Sequence, residues 1–86
     1  MSKIFIYPSG LNAKILAFHI EKLYNKQPIF IDDSDYETSI ENRKKIIKND
    51  DIILLASKTY EQNLISNLEK FDIENYCDGI SLIAKT

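Results

Sequence analysis

Three short clusters in this chain carry residue types suited to a phosphorylated, hydroxyl-rich ligand. They are Pro8-Ser9-Gly10-Leu11-Asn12, Asp32-Asp33 and Ser57-Lys58. The first stands where a strand would hand over to a helix. A glycine there allows a tight turn or the close approach of a ligand. The free N–H groups at a helix start attract phosphate. Ser9 is suited either to cap that helix or to donate to a phosphate oxygen. Asp32 lies 22 residues after Gly10, close to the spacing at which an acidic residue meets ribose hydroxyls in dinucleotide folds. Lys58 is placed to reach a phosphate from the next strand. Each cluster has a plainer reading: a strand-to-helix turn with a serine cap, an Asp-rich turn in Asp33-Ser34-Asp35, and a helix start beside a solvated lysine. The turn has one glycine, not the three of G-x-G-x-x-G, and no P-loop signature is present.

The elements that would position these clusters alternate in type. Lys3–Tyr7 is an apolar run of strand length, halted by Pro8-Ser9-Gly10. Leu11–Lys26 lacks glycine and proline and is predicted as a helix. Pro28–Asp32 is a second strand. Thr38–Lys48 is a second helix, with Thr38 and Glu41 as a capping box. Asp51–Ala56 is a third strand whose unbroken apolar run predicts burial on both faces. Thr59–Phe71 is a third helix with the stripe Tyr60, Leu64, Leu68 and Phe71. Gly79–Ala84 is predicted as the last strand. This alternation implies one α/β domain spanning residues 1–86. The expected architecture is a three-layer sandwich: a four-stranded parallel sheet of order 2-1-3-4 with about three helices. The strands' C-terminal ends then gather Tyr7–Gly10, Asp32-Asp33 and Ser57-Lys58 along one edge.

The first helix has two apolar sides. At 100° per residue, Asn12, Ala13, Leu16, Ile20 and Leu23 share the face expected to cover the sheet, with Ala17 and Tyr24 on its flank. Leu11, Ile15 and Phe18 lie nearly opposite, among Lys14, Glu21 and Lys22. A helix on an open sheet needs only one apolar face. The second stripe therefore marks either a contact surface, for another copy or a partner domain, or scattered surface residues.

Composition narrows the function classes. The formal net charge is −2, which argues against nucleic acid as a partner. No apolar run approaches the length of a membrane span. The single cysteine, Cys77, excludes an internal disulfide and a cysteine metal cage, and it reads as a structural thiol of a cytoplasmic protein. His19 stands alone, with no metal-ligand spacing and no nucleophile that it could serve. No catalytic residue, metal ligand or bound cofactor is expected. Arg43-Lys44-Lys45 and Lys48 are balanced by nearby acids and read as a solvated face. A response-regulator receiver needs an acceptor Asp where Ala56-Ser57 stands, and a phosphotransferase-system B domain needs a cysteine where Tyr7-Pro8 stands.

Lys3–Gly10, the helix after it, Pro28–Asp33 and Asp51–Ser57 together resemble the N-terminal Rossmann-like domain of bacterial sugar O- and N-acetyltransferases of the UDP-amino-sugar family. The resemblance runs over nearly the whole chain. It implies a noncatalytic domain that holds a UDP-sugar or other nucleotide in bacterial surface-glycan biosynthesis. Ser9-Gly10 match the family's Ser-Gly phosphate turn and Asp32-Asp33 its acidic pair. Asn12 stands where that turn has its last glycine. The family's acetyl transfer occurs in a separate hexapeptide-repeat domain with no counterpart in these residues, so His19 inherits no role. The ligand-binding set expected is Ser9, Gly10, Leu11, Asn12, Asp32, Asp33, Ser57 and Lys58, and the contact set is Leu11, Ile15 and Phe18. Any transferase activity, acyl or glycosyl, would belong to a partner domain. The alternative is an interaction or oligomerisation module, such as a homodimer, on a degenerate fold that binds no ligand.

Overall fold

The computed structural model describes residues 2–84. Four strands, β1 (Ile4–Tyr7), β2 (Ile29–Phe30), β3 (Ile52–Leu55) and β4 (Tyr76–Asp78), form one sheet of order β2-β1-β3-β4. Every pairing is parallel, with Ile6 opposite Phe30 and Leu54, and Leu54 opposite Cys77. Four α-helices accompany it: α1 (Leu11–Tyr24), α2 (Ile40–Arg43), α3 (Glu61–Lys70) and α4 (Ile80–Ala84). The chain thus has a Rossmann-like α/β fold, in the strand order that alternation and right-handed crossovers predict.

Period-2 alternation along the strands sorts the core into two layers. Ile6, Leu54 and Ala56 point to one face and pack on Ala13, Leu16, Ala17 and Ile20 of α1, joined by Ile83 of α4. Phe5, Tyr7, Ile53 and Leu55 point to the other and pack on Ile40, Leu64, Leu68 and Ile73. The unbroken run of β3 is buried on both faces, as its composition predicts, except at its start, where Ile52 is exposed. Asp51 is buried immediately before β3. It accepts from the backbone N–H groups of Lys3 (2.7 Å) and Lys48 (2.8 Å) and pairs with Lys3 Nζ at 3.0 Å.

The observed elements depart from the sequence-based expectation at definite places. The last strand lies earlier than Gly79–Ala84: Tyr76–Asp78 forms it, and residues 80–84 are helical. The cause is local. Asp78 Oδ1 accepts from Ile80 N–H at 2.9 Å, and its Oδ2 accepts from Ser81 Oγ at 2.7 Å, starting a helix where isoleucines suggest a strand. Gly79 sits against the sheet with its N–H on Leu55 O at 2.8 Å. Among the described residues there are therefore four α-helices, against the expected count of about three. The second helix is one turn, preceded by a 3-10 turn at Tyr36–Thr38. Its cap is Ser39, whose Oγ accepts from Asn42 N–H, because the Thr38 hydroxyl is spent on the Asp32 carbonyl at 2.8 Å. In α3 Leu64 and Leu68 are buried and Phe71 half-buried, but Tyr60 is exposed at the helix start. In α1 Leu23 and Tyr24 are exposed rather than buried, and so is Asn12. A helix of 14 residues spans about 21 Å, whereas a four-residue strand spans about 13 Å, so the end of α1 overruns the sheet. Asn25 closes α1 in the left-handed region (φ 53°). No helix among the described residues is long and apolar enough to cross a membrane.

Candidate functional site

The parallel sheet sends all its C-terminal ends to one edge, and the expected residues do gather there, in two separate groups. The first lies over β1 and β2. Ser9, just past β1, donates from Oγ to Asp32 Oδ2 at 2.7 Å, and its N–H approaches the same oxygen at 3.2 Å. Asp32 Oδ1 accepts from Ser34 N–H at 2.9 Å. Hydrogen bonds from Ser34, then from the Ser9 hydroxyl, hold the Asp32 carboxyl below the usual carboxylate range. A carboxylate offers about four lone-pair sites, and Ser34 and Ser9 each address this one through both N–H and hydroxyl, so it has no free pair of sites for the hydroxyls of a cis-diol. Ser9 therefore ties the first turn to the second instead of capping α1.

Asp33 turns the other way, toward the face of α2 and α3. Its Oδ2 accepts from the buried Tyr7 hydroxyl, and Oδ1 accepts from Ile40 N–H at 2.9 Å. Asn67 of α3 donates to the Tyr7 oxygen at 3.1 Å. Desolvation, reinforced by the hydrogen bond to Asp33, pushes the Tyr7 phenol well above its ordinary pKa. Tyr7, Asp33 and Asn67 thus form a structural tie between β1, the loop after β2 and α3.

The second group lies over β3 and β4. Ser57 Oγ accepts from Tyr60 N–H at 3.2 Å and helps to open α3. Lys58 does not reach toward β1. It pairs with Asp78 at the end of β4 and lies 3.6 Å from Glu61. Hydrogen bonds from Lys58 and Ser81 hold Asp78 at a pKa of about 2. Cys77 is exposed rather than packed in the core, and desolvation with the neighbouring Asp78 raises its thiol pKa, which disfavours a nucleophilic role.

What remains open is the start of α1. Gly10 is extended (φ −148°), and no side chain caps the helix. A Cβ added at Gly10 would meet nothing within 4 Å. In front of it lies a depression of about 460 Å³ lined by Ser9, Gly10, Leu11, Lys14 and Phe30. Lys14 and Phe30 were not among the residues expected from sequence. Lys14 follows from helical spacing once Gly10 is fixed as the cap. Phe30 enters because it pairs with Ile6 and so shares the face of the sheet that α1 covers. Asn67 carries no local signal, whereas Asp78, two residues before Ile80, has the residue type and spacing of a helix cap. Another depression, of about 330 Å³, lies at the opposite end of the sheet between Lys44–Asn49 and Phe71–Asn75, and it contains none of the expected residues.

The strand order and the helices on both faces define an α/β domain with a Rossmann-like fold. Compared with protein-family models, curated proteins and solved structures, the chain matches none.

Proposed function

We propose that the chain is a noncatalytic domain that binds a nucleotide or nucleotide-sugar, a UDP-sugar foremost, at the start of α1. In this reading it serves bacterial surface-glycan biosynthesis, and group transfer belongs to a partner transferase domain. The observation that carries the reading is Gly10. Neither its backbone conformation nor its packing calls for glycine, yet it faces the depression beside an uncapped helix start. A missing side chain there is what close approach of a phosphate to the backbone would use. Lys14 adds a positive charge and Phe30 an aromatic surface. The ligand size that fits is a mononucleotide, because four strands provide one switch point rather than two halves.

The test is titration of the folded protein with UDP, UDP-sugars and CDP-linked compounds, followed by amide NMR shifts. Shifts confined to Ser9, Gly10, Leu11, Lys14 and Phe30 are expected. Gly10→Val should leave the melting temperature near wild type and abolish those shifts. Absence of binding at millimolar ligand overturns the reading.

A second reading, a protein-interaction or oligomerisation module, is favoured by the exposure of Leu11, Ile15 and Phe18 on α1. It predicts self-association or partner binding without nucleotide.

A further inference from the structure

The solvent side of α1 carries a patterned stripe. Leu11, Ile15 and Phe18 are 76%, 38% and 55% exposed. Lys22 continues the line, its Nζ 4.9 Å from the Phe18 ring centroid. The spacing of four, three and four residues is that of a coiled-coil seam. Lys14 and Glu21 flank the seam on one side, Asn12 and His19 on the other. Among the described residues neither Lys14 nor Glu21 has an ion-pair partner.

We infer that this stripe seats a second copy of the chain, with the two α1 helices antiparallel about a two-fold axis. Set Ile15 opposite the partner's Phe18, and the rest of the register follows. Leu11 meets the aliphatic stem of the partner's Lys22, whose ammonium stays in water. On one flank Lys14 faces the partner's Glu21, and on the other Asn12 faces the partner's His19. The two-fold axis makes every one of these contacts twice. A parallel pairing stacks Lys22 on the partner's Lys22 and brings no opposite charges together. A wholly acidic or wholly basic partner would satisfy only one of Lys14 and Glu21. Self-pairing satisfies both, and this charge complementarity selects a second copy as the occupant. An interface built on one pair of four-turn helices falls below about 1,200 Å², so the dimer is weak and concentration-dependent.

Sedimentation of the full chain without nucleotide, between ~10 μM and ~1 mM, reads the equilibrium directly. It is independent of the ligand reading, which could fail while this one stands. Wild type is expected to pass from monomer to dimer across that range. Phe18→Asp should weaken the dimer by at least ~100-fold, because the symmetry removes two central anchors. Lys14→Glu and Glu21→Lys should each weaken it ~10-fold by setting like charges opposite each other. The double variant should return to within ~3-fold of wild type. Both charge changes favour the α1 macrodipole, with acid near its start and base near its end, so unchanged melting curves separate lost pairing from lost folding. The inference is overturned by a wild type that stays monomeric throughout, by single charge variants that associate like wild type, or by a double variant no tighter than the singles. A monomer that instead binds vesicles of phosphatidylserine and phosphatidylcholine through Phe18 overturns it as well.

Discussion

Gly79→Ala is the sharpest test of how this sheet is closed. A Cβ at Gly79 would lie 2.7 Å from Leu16 Cδ2, 2.9 Å from Leu55 O and 3.1 Å from Leu54 Cβ. The Leu16 contact is with the end of a side chain that can turn. The Leu55 contact is not so easily relieved, because the Gly79 N–H is already bonded to that same carbonyl at 2.8 Å. Retreat of the backbone would break that bond and lift α4 from β3. Overpacking of this kind costs ~2–3 kcal/mol. Gly79 lacks a positive φ, so alanine recovers ~0.4–1 kcal/mol through the unfolded state. The net expectation is a loss of ~1–2.5 kcal/mol, or roughly 5–15 °C in melting temperature for a domain of this size. Thermal unfolding followed by far-UV circular dichroism measures it. Adding Leu16→Val removes the nearest atom but not the carbonyl clash, so the double variant should lose less than the sum of the singles. A Gly79→Ala protein that melts within a degree or so of wild type would refute the packing argument.

Three further outcomes follow from hydrogen-bonded polar groups. Asp51→Asn replaces an acceptor of two backbone N–H groups and a lysine, and should cost ~2–4 kcal/mol in urea unfolding; an unchanged midpoint contradicts the assigned role. Burial alone would raise the Asp51 carboxyl, but the bonds from Lys3 and Lys48 outweigh it, and Asp51, Asp32 and Asp78 all lie below their ordinary pKa. Their contribution is complete above the unfolded value of ~4 and is lost as pH falls from there toward 2, with each proton adding a slope of at most ~1.4 kcal/mol per pH unit; a melting temperature that is flat from pH 5 to pH 3 speaks against it. The Tyr7 phenol is shifted upward, so its contribution holds below ~10 and declines as pH rises beyond that. Tyr7→Phe should cost ~1–2 kcal/mol at neutral pH and reduce the alkaline loss; an alkaline limb of unchanged depth would assign that loss to other groups.

The strand order was legible because it rests on features that local sequence carries. β1 and β3 are apolar runs of strand length, α1 and α3 bury residues at helical spacing, and the handedness of crossovers does the rest. The end of the chain was less legible. Residues 79–84 have strand-like composition, which outweighs the local cap that Asp78 supplies, and the fit of Gly79 against Leu16 and Leu55 is visible only in the fold. At the site, topology was enough to bring Ser9 near Asp32. It could not show that they would bond to each other, that Asp33 would turn inward to Tyr7, or that Lys58 would find Asp78. Such choices depend on which of several neighbours lies nearest, a matter of ångströms set by packing across the whole sheet.

The two surfaces proposed for α1 share residues, and this has a thermodynamic consequence. Leu11 and Lys14 line the depression beside Gly10, and the same two side chains belong to the helical seam and its flank. A Lys14 ammonium paired with the partner's Glu21 has less positive charge to offer a phosphate; a phosphate held at Lys14 likewise weakens that pair. Binding free energies are reciprocal, so whatever factor the dimer imposes on ligand affinity, the ligand imposes on the dimer. The sign follows from the shared charge: each occupant opposes the other. Glu21 separates the two effects. It flanks the seam seven residues from Lys14, about 10 Å along the helix, and lies outside the depression. Glu21→Lys therefore disrupts pairing while leaving the ligand cavity intact. If the surfaces are coupled through Lys14, this variant must bind nucleotide more tightly than wild type at concentrations where wild type is dimeric, and equally tightly where wild type is monomeric.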